Sequence, residues 1–112
     1  MQEGQINLPT HDNNGNSLVH LQEQVIRDVV AAFGGCSIVD AEGAWVSNDG
    51  TLYREPVKQI VTAYEPSPET DAKLRHIAVA AGLTGFQLAM YVRYANGTVE
   101  IIDLTDQLSK AA

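Results

Sequence analysis

One cysteine among 112 residues, Cys36, excludes an internal disulfide and any zinc site built from several thiolates. Low cysteine use fits a reducing compartment, so a cytoplasmic setting is expected, the host cytoplasm if the gene is a phage's. Basic residues are also few. Seven Lys and Arg face 14 Asp and Glu, giving a net charge of −7. A field of that sign repels phosphate backbones and argues against direct nucleic-acid binding, though one small anion could still be held locally. No apolar run approaches the roughly 20 residues of a membrane span. The opening residues MQEGQINLPTHD have neither a basic stretch nor an apolar one, so no signal peptide is expected. GxSxG, Walker and GxGxxG motifs are missing, as is HExxH, and no Ser-His-Asp set stands out. Covalent catalysis, a metal and a cofactor are therefore not expected.

What is present is an ordinary globular composition, 45% hydrophobic and 19% charged, enough to form one packed domain over residues 1–112. Ile6 and Leu8 alternate with polar neighbours and predict a short strand closed by Pro9. Leu18, Leu21, Val25, Val29, Ala32 and Phe33 recur at helical spacing, with Asn16 or Ser17 as cap and Gly34-Gly35 as the stop. Residues 36–39 read as a strand that continues through 44–46 after a bend at Gly43. Asp49-Gly50 predicts a hairpin turn, and residues 51–54 return. Glu55-Pro56 is expected to interrupt the ladder before a strand over 57–64. Ser67-Pro68-Glu69 opens a second helix, expected to end at Gly82. Residues 86–94 and 98–102 form a last hairpin around Ala95-Asn96-Gly97, and 104–112 a short helix or frayed tail.

The order β-α-ββ-α-ββ predicts an α+β domain of ferredoxin-like, split β-α-β plan, with one antiparallel sheet and two helices on one face. The other sheet face needs a cover. Gln87, Ala89, Tyr91 and Arg93 would line it if Phe86, Leu88, Met90 and Val92 face the helices. Such a mixed face suits either a ligand cleft or self-association, so a homodimer or higher homo-oligomer is expected.

Candidate ligand-binding residues follow from this plan. His11, Asp12 and Asn14 sit in the loop before the first helix, where free backbone N–H groups can hold an anion. The same stretch resembles a calcium loop, with Asp12, Asn14, Asn16 and Glu23 in the first, third, fifth and twelfth positions. Ser17 occupies the place that needs glycine, and a strand rather than a helix leads in, so a capping turn fits better. Trp45 is the sole tryptophan and reads as a hairpin anchor or as a stacking platform for a planar ring. Arg54 either pairs with a surface neighbour or meets a ligand anion. Tyr91 and Arg93 share one strand face, where Tyr64 or Gln59 could complete a polar-aromatic patch. Cys36, lacking a partner, reads as a small buried hydrophobe.

Three segments carry a resemblance: Leu8-Pro9 with Asp12-Asn13-Asn14-Gly15, Phe33-Gly34-Gly35, and Gly43-Ala44-Trp45 with Asp49-Gly50 and Glu55. Together they resemble a family of small proteins from bacteria and their phages, over most of the chain. The plan is also similar to dimeric α+β barrel proteins, among them monooxygenases and isomerases, a likeness of architecture that transfers no residues. The first expectation for function is a non-enzymatic, oligomeric binding protein, in concrete form a phage anti-defence sponge for a nucleotide-like signal. Two alternatives stay open. One is an inhibitor that binds a host protein through its acidic surface or sheet edge. The other is a cofactor-free barrel enzyme with His11 as base and Tyr91 and Arg93 orienting an anionic substrate.

Overall fold

The computed structural model describes residues 1–111. Eight elements follow one another: β1 (Gln2–Pro9), α1 (Val19–Phe33), β2 (Ser37–Val46), β3 (Leu52–Tyr64), α2 (Pro68–Thr84), β4 (Ala89–Arg93), β5 (Val99–Asp103) and α3 (Thr105–Ala111). The strands form one sheet in the order β2-β3-β1-β4-β5, every neighbouring pair antiparallel. β1 and β2 are thus parallel with β3 inserted between them, the split β-α-β arrangement, and the α+β plan expected from sequence is observed.

Alternation divides each strand between two faces. Ile6 and Leu8 of β1, Ile60, Thr62 and Tyr64 of β3, and Met90 and Val92 of β4 are buried beneath the helices. Val25 and Val29 of α1 and Leu74, Ile77, Ala78 and Ala81 of α2 close the core from above. Burying each large aliphatic side chain contributes about 1.5–3 kcal/mol. The polar groups inside this layer are satisfied. Thr62 Oγ1 donates to the Gly35 carbonyl at 2.7 Å, and Gln22 Nε2 donates to the Pro9 carbonyl at 3.0 Å.

Local signals in the sequence are met where local chemistry decides. Gly34 takes the left-handed conformation (φ 96°) and stops α1. Ser67 accepts from the Thr70 N–H at 3.1 Å with Pro68 inside the first turn of α2. Tertiary context overrides four expectations. Leu18, not Asn16 or Ser17, is the N-cap of α1, although Ser17 Oγ accepts from the Val19 N–H at 3.3 Å. β2 is continuous through Gly43. β3 runs unbroken through Pro56, which pairs with Glu42. β1 ends opposite Val57, so Pro56 has a strand neighbour on one side only, the edge condition that tolerates a proline. Gly82 lies inside α2 rather than at its end. A Cβ there would come within 2.4 Å of Leu104 Cδ1 and 2.6 Å of Met90 Cγ, so the glycine sets how closely α2 approaches the sheet.

The last hairpin is also shorter than expected. β4 begins at Ala89, and Phe86 and Leu88 are 72% and 59% exposed instead of facing the helices. Phe86 adopts a positive φ (53°) in the tight connection after α2, which takes it out of the strand alternation. Residues 104–111 resolve into a buried Leu104 followed by α3. No helix among the described residues is long and apolar enough to cross a membrane.

Candidate functional site

The sheet face opposite the helices carries the site. Its residues are the odd-numbered ones of β1, β2, β3 and β4, as alternation and the observed register require. Gln59 stands between Asn7 on one side and Val39 on the other, and Glu55 stands opposite Gly43. A Cβ at Gly43 would lie 3.7 Å from Val57 and 3.9 Å from Glu55 Cγ, so its absence deepens the surface beside the carboxylate. The result is a cleft of about 530 Å³ lined by Asn7, Trp45, Glu55, Gln59, Gln87 and Tyr91, with small apolar side chains between them. Two carboxylates, Glu55 and the Arg54-paired Glu42, line it with three amides and two aromatic rings among apolar side chains, a composition that suits a small-molecule site.

The hairpin β2–β3 extends beyond the helices and positions Trp45. Its ring stacks on Tyr53 across the strand pair, centroids 4.6 Å apart, and remains 53% exposed. Behind the ring, the turn is held by the Asp49 carboxylate. It accepts from the Ser47 hydroxyl and the Thr51 N–H, and these bonds pull its pKa down to about 2. Cross-strand ion pairs Arg54–Glu42 and Lys58–Asp40 brace the helix-side face of the same arm.

Trp45 and Tyr91 are thus brought together in one cleft, with Gln59 and Gln87 beside them. Arg93 lies further along β4, opposite Gln5. Its Nε is buried with no hydrogen-bond partner. The other candidates fall elsewhere. Arg54 is on the opposite sheet face, donating to Glu42 at 2.7 Å. Tyr64 points into the core, where its hydroxyl donates to Asp71 and accepts from the Ala95 N–H. His11, Asp12 and Asn14 build the loop itself and do not line the cleft. Asp12 Oδ1 accepts from the N–H groups of Asn14 and Asn16, both at 2.9 Å, which holds its pKa low. The imidazole of His11 is exposed and bonded to Thr10 Oγ1 at 2.9 Å, so it has no position for base catalysis in the cleft. No group of three or more His, Cys, Asp or Glu side chains able to hold a metal occurs among the described residues. Cys36 is half-buried, and burial raises its thiol pKa.

Asn7 and Glu55 are site residues that sequence reasoning did not single out. Once Ile6 and Leu8 are assigned inward, Asn7 must face outward, so its signal was present. Glu55 was obscured by the expected break at Pro56. A second concavity of about 560 Å³ runs between α1 and α2, walled by Ala31, Ala32, Ala72 and Ile77. Its floor is apolar and Asp28, Glu69, Lys73 and His76 stand along it, but it has neither the aromatic rings nor the amides of the sheet-face cleft.

The architecture is that of a small α+β protein: an antiparallel sheet backed by two helices, with a ligand-sized cleft on its open face. No family model and no curated protein sequence matches the chain. Its structure is similar to that of a phage SAM lyase solved in complex with S-methyl-5'-thioadenosine. The TM-score is 0.66 at 18% identity, over 90% of this chain and 88% of the other. It is likewise similar to a phage SAM lyase in the apo state, with TM-score 0.64 and 17% identity over 90% and 87%. At these identities the likeness concerns the fold, a plan shared with small phage proteins. Both neighbours are nevertheless named as an enzyme, a lyase. The expectation of a non-enzymatic binding protein is overturned by that finding.

Proposed function

We propose that the chain is a lyase acting on S-adenosylmethionine, with the sheet-face cleft as its active site. The observation that carries this is the convergence of Glu55, Trp45 and Tyr91 with the Asn7 and Gln59 amides in one concavity. Each feature fits part of that substrate. The Trp45 ring offers a face for a purine. Aromatic faces and the Glu55 carboxylate attract a sulfonium or ammonium group. A net charge of −7 draws a cationic substrate towards the protein.

The chemistry needs no co-reactant. The substrate's own carboxylate oxygen forms a bond to the γ-carbon of the amino-acid chain as the bond from that carbon to sulfur breaks. The bonding pair leaves with sulfur. S-methyl-5'-thioadenosine departs as a neutral thioether, and the remainder is a lactone that keeps its ammonium. Opposite charges on carboxylate and sulfonium cancel along this path. An apolar wall therefore favours the transition state over the charged ground state, while the polar groups hold the folded conformer. Glu55 holds the cationic end and Trp45 the base, so the chain's contribution is orientation and exclusion of water.

A second copy of the chain fits as the cover of the open face. Strands of 10, 13, 8, 5 and 5 residues give that face about 650 Å² in plan, near the roughly 800 Å² per partner of a stable interface. Action on S-adenosylmethionine also implies an intracellular setting, the host cytoplasm for a phage protein.

Incubation of purified protein with S-adenosylmethionine, followed by mass spectrometry, tests the proposal. Time-dependent formation of S-methyl-5'-thioadenosine with an equimolar lactone is expected. Unchanged substrate at stoichiometric enzyme would refute it.

A further inference from the structure

Gln5 and Asn7 lie two residues apart on β1, so both leave the sheet on the cleft side. Gln5 is 8% exposed, and its Nε2 donates to Asn7 Oδ1 at 2.8 Å. Gln59 lies directly opposite Asn7 on β3 and lines the same cleft. Opposed side chains in an antiparallel pair start about 5 Å apart, close enough for both amides to meet one planar ring. The wall therefore carries an amide whose polarity Gln5 fixes beside a second amide that can offer its carbonyl.

We propose that Asn7 and Gln59 read the base of an adenosyl ligand, and that Gln5 is the positioning residue that sets the polarity of Asn7. The inference rests on the adenosyl-substrate function proposed above and adds the groups that choose the base. Adenine presents a ring nitrogen with a free lone pair next to an exocyclic amine. Asn7 Nδ2 donates to the ring nitrogen, and Gln59 Oε1 accepts from the amine. Hypoxanthine inverts both positions, with a ring N–H beside a carbonyl. It sets donor against donor at Asn7, the amide whose polarity Gln5 fixes, while the Gln59 amide can turn its NH₂ to the carbonyl, so the discrimination falls on Asn7. A site built to hydrogen-bond one pattern strongly rejects the other, because its own polar groups are then left unpaired.

Calorimetric titration with S-methyl-5'-thioadenosine and S-methyl-5'-thioinosine tests this. The unaltered protein should prefer the adenine compound by on the order of a hundredfold. Gln5→Glu replaces a donor by a carboxylate, which can only accept. Asn7 then turns its NH₂ towards residue 5 and its carbonyl towards the cleft. The preference should fall at least tenfold and move towards the inosine compound, while melting stays cooperative. Arg93, directly opposite residue 5, offers the new carboxylate a counter-charge. Gln5→Leu, which removes the orienting bond without adding charge, should also shrink the preference. Equal affinity of the unaltered protein for both compounds overturns the proposal. So does a preference unchanged in both Gln5 variants that still bind. Binding of neither compound by the unaltered protein defeats the adenosyl-site function itself, and this inference with it.

Discussion

Trp45 and Tyr53 stack at 4.6 Å across the projecting end of the β2–β3 hairpin, and both rings stay about half exposed. A packed aromatic pair left open to solvent on the rim of a cleft is poised to take a third ring. Trp45 is the sole tryptophan, so its fluorescence reports on the site alone. Titration with S-methyl-5'-thioadenosine should change that emission saturably. Trp45→Ala should weaken binding by about ten- to hundredfold, the value of one base–aromatic stack. Circular dichroism should show the fold intact, because the ring buries nothing in the core.

Under the proposed function, Glu55 should discriminate by charge. Glu55→Gln keeps the shape, removes the anion and replaces one acceptor oxygen by an NH₂ donor. KM for the cationic S-adenosylmethionine should rise about five- to tenfold, the worth of roughly 1 kcal/mol of partly screened attraction. The affinity for neutral S-methyl-5'-thioadenosine should change much less. Equal losses for both ligands would assign Glu55 a structural role instead.

Gly82 and Gly35 should respond in opposite ways. Gly82→Val drives side-chain atoms into Leu104 and Met90 and should cost about 2 kcal/mol or more, read as a lower melting temperature. Nothing lies within 4 Å of a Cβ built at Gly35, so Gly35→Ala should leave stability within about 0.5 kcal/mol.

The buried hydroxyl of Tyr64 predicts the alkaline limit of the fold. Burial, first, and the neighbouring Asp71 carboxylate push its pKa up to about 12 against a reference of 10.0. The folded state thus holds this proton more tightly than the unfolded chain. Its contribution is complete below pH 10 and is lost as pH rises from 10 towards 12. Thermal melts across that window should fall more steeply for the unaltered protein than for Tyr64→Phe, after correction for the general alkaline loss.

Much of the fold was legible because the relevant signals are local. Gly34, Asp49-Gly50 and Ser67-Pro68-Glu69 act within one turn of the chain, and the structure uses them as the sequence implies. Pro56 and Gly82 were misread because their meaning depends on neighbours remote in sequence. The end of β1 makes Pro56 tolerable, and the approach of Leu104 and Met90 makes Gly82 necessary. Half of the cleft was legible by the same logic. Strand alternation alone puts Tyr91 on the open face, and Trp45 was marked by its rarity. Asn7, Glu55 and the Gln5–Asn7 bond required strand register, which no single segment encodes. The loop candidates His11, Asp12 and Asn14 lie outside the cleft, and the Asp12 carboxylate accepts from the backbone of its own turn. Function was the least legible, since the sequence holds no catalytic motif to read.

A crystal structure of the protein with S-methyl-5'-thioadenosine tests the central claim most directly. The purine should lie against Trp45 in the sheet-face cleft, with its thioether end near Glu55 and its base edge at Asn7 and Gln59. Ligand density in the groove between α1 and α2, or on the 11–16 loop with an empty cleft, would contradict it.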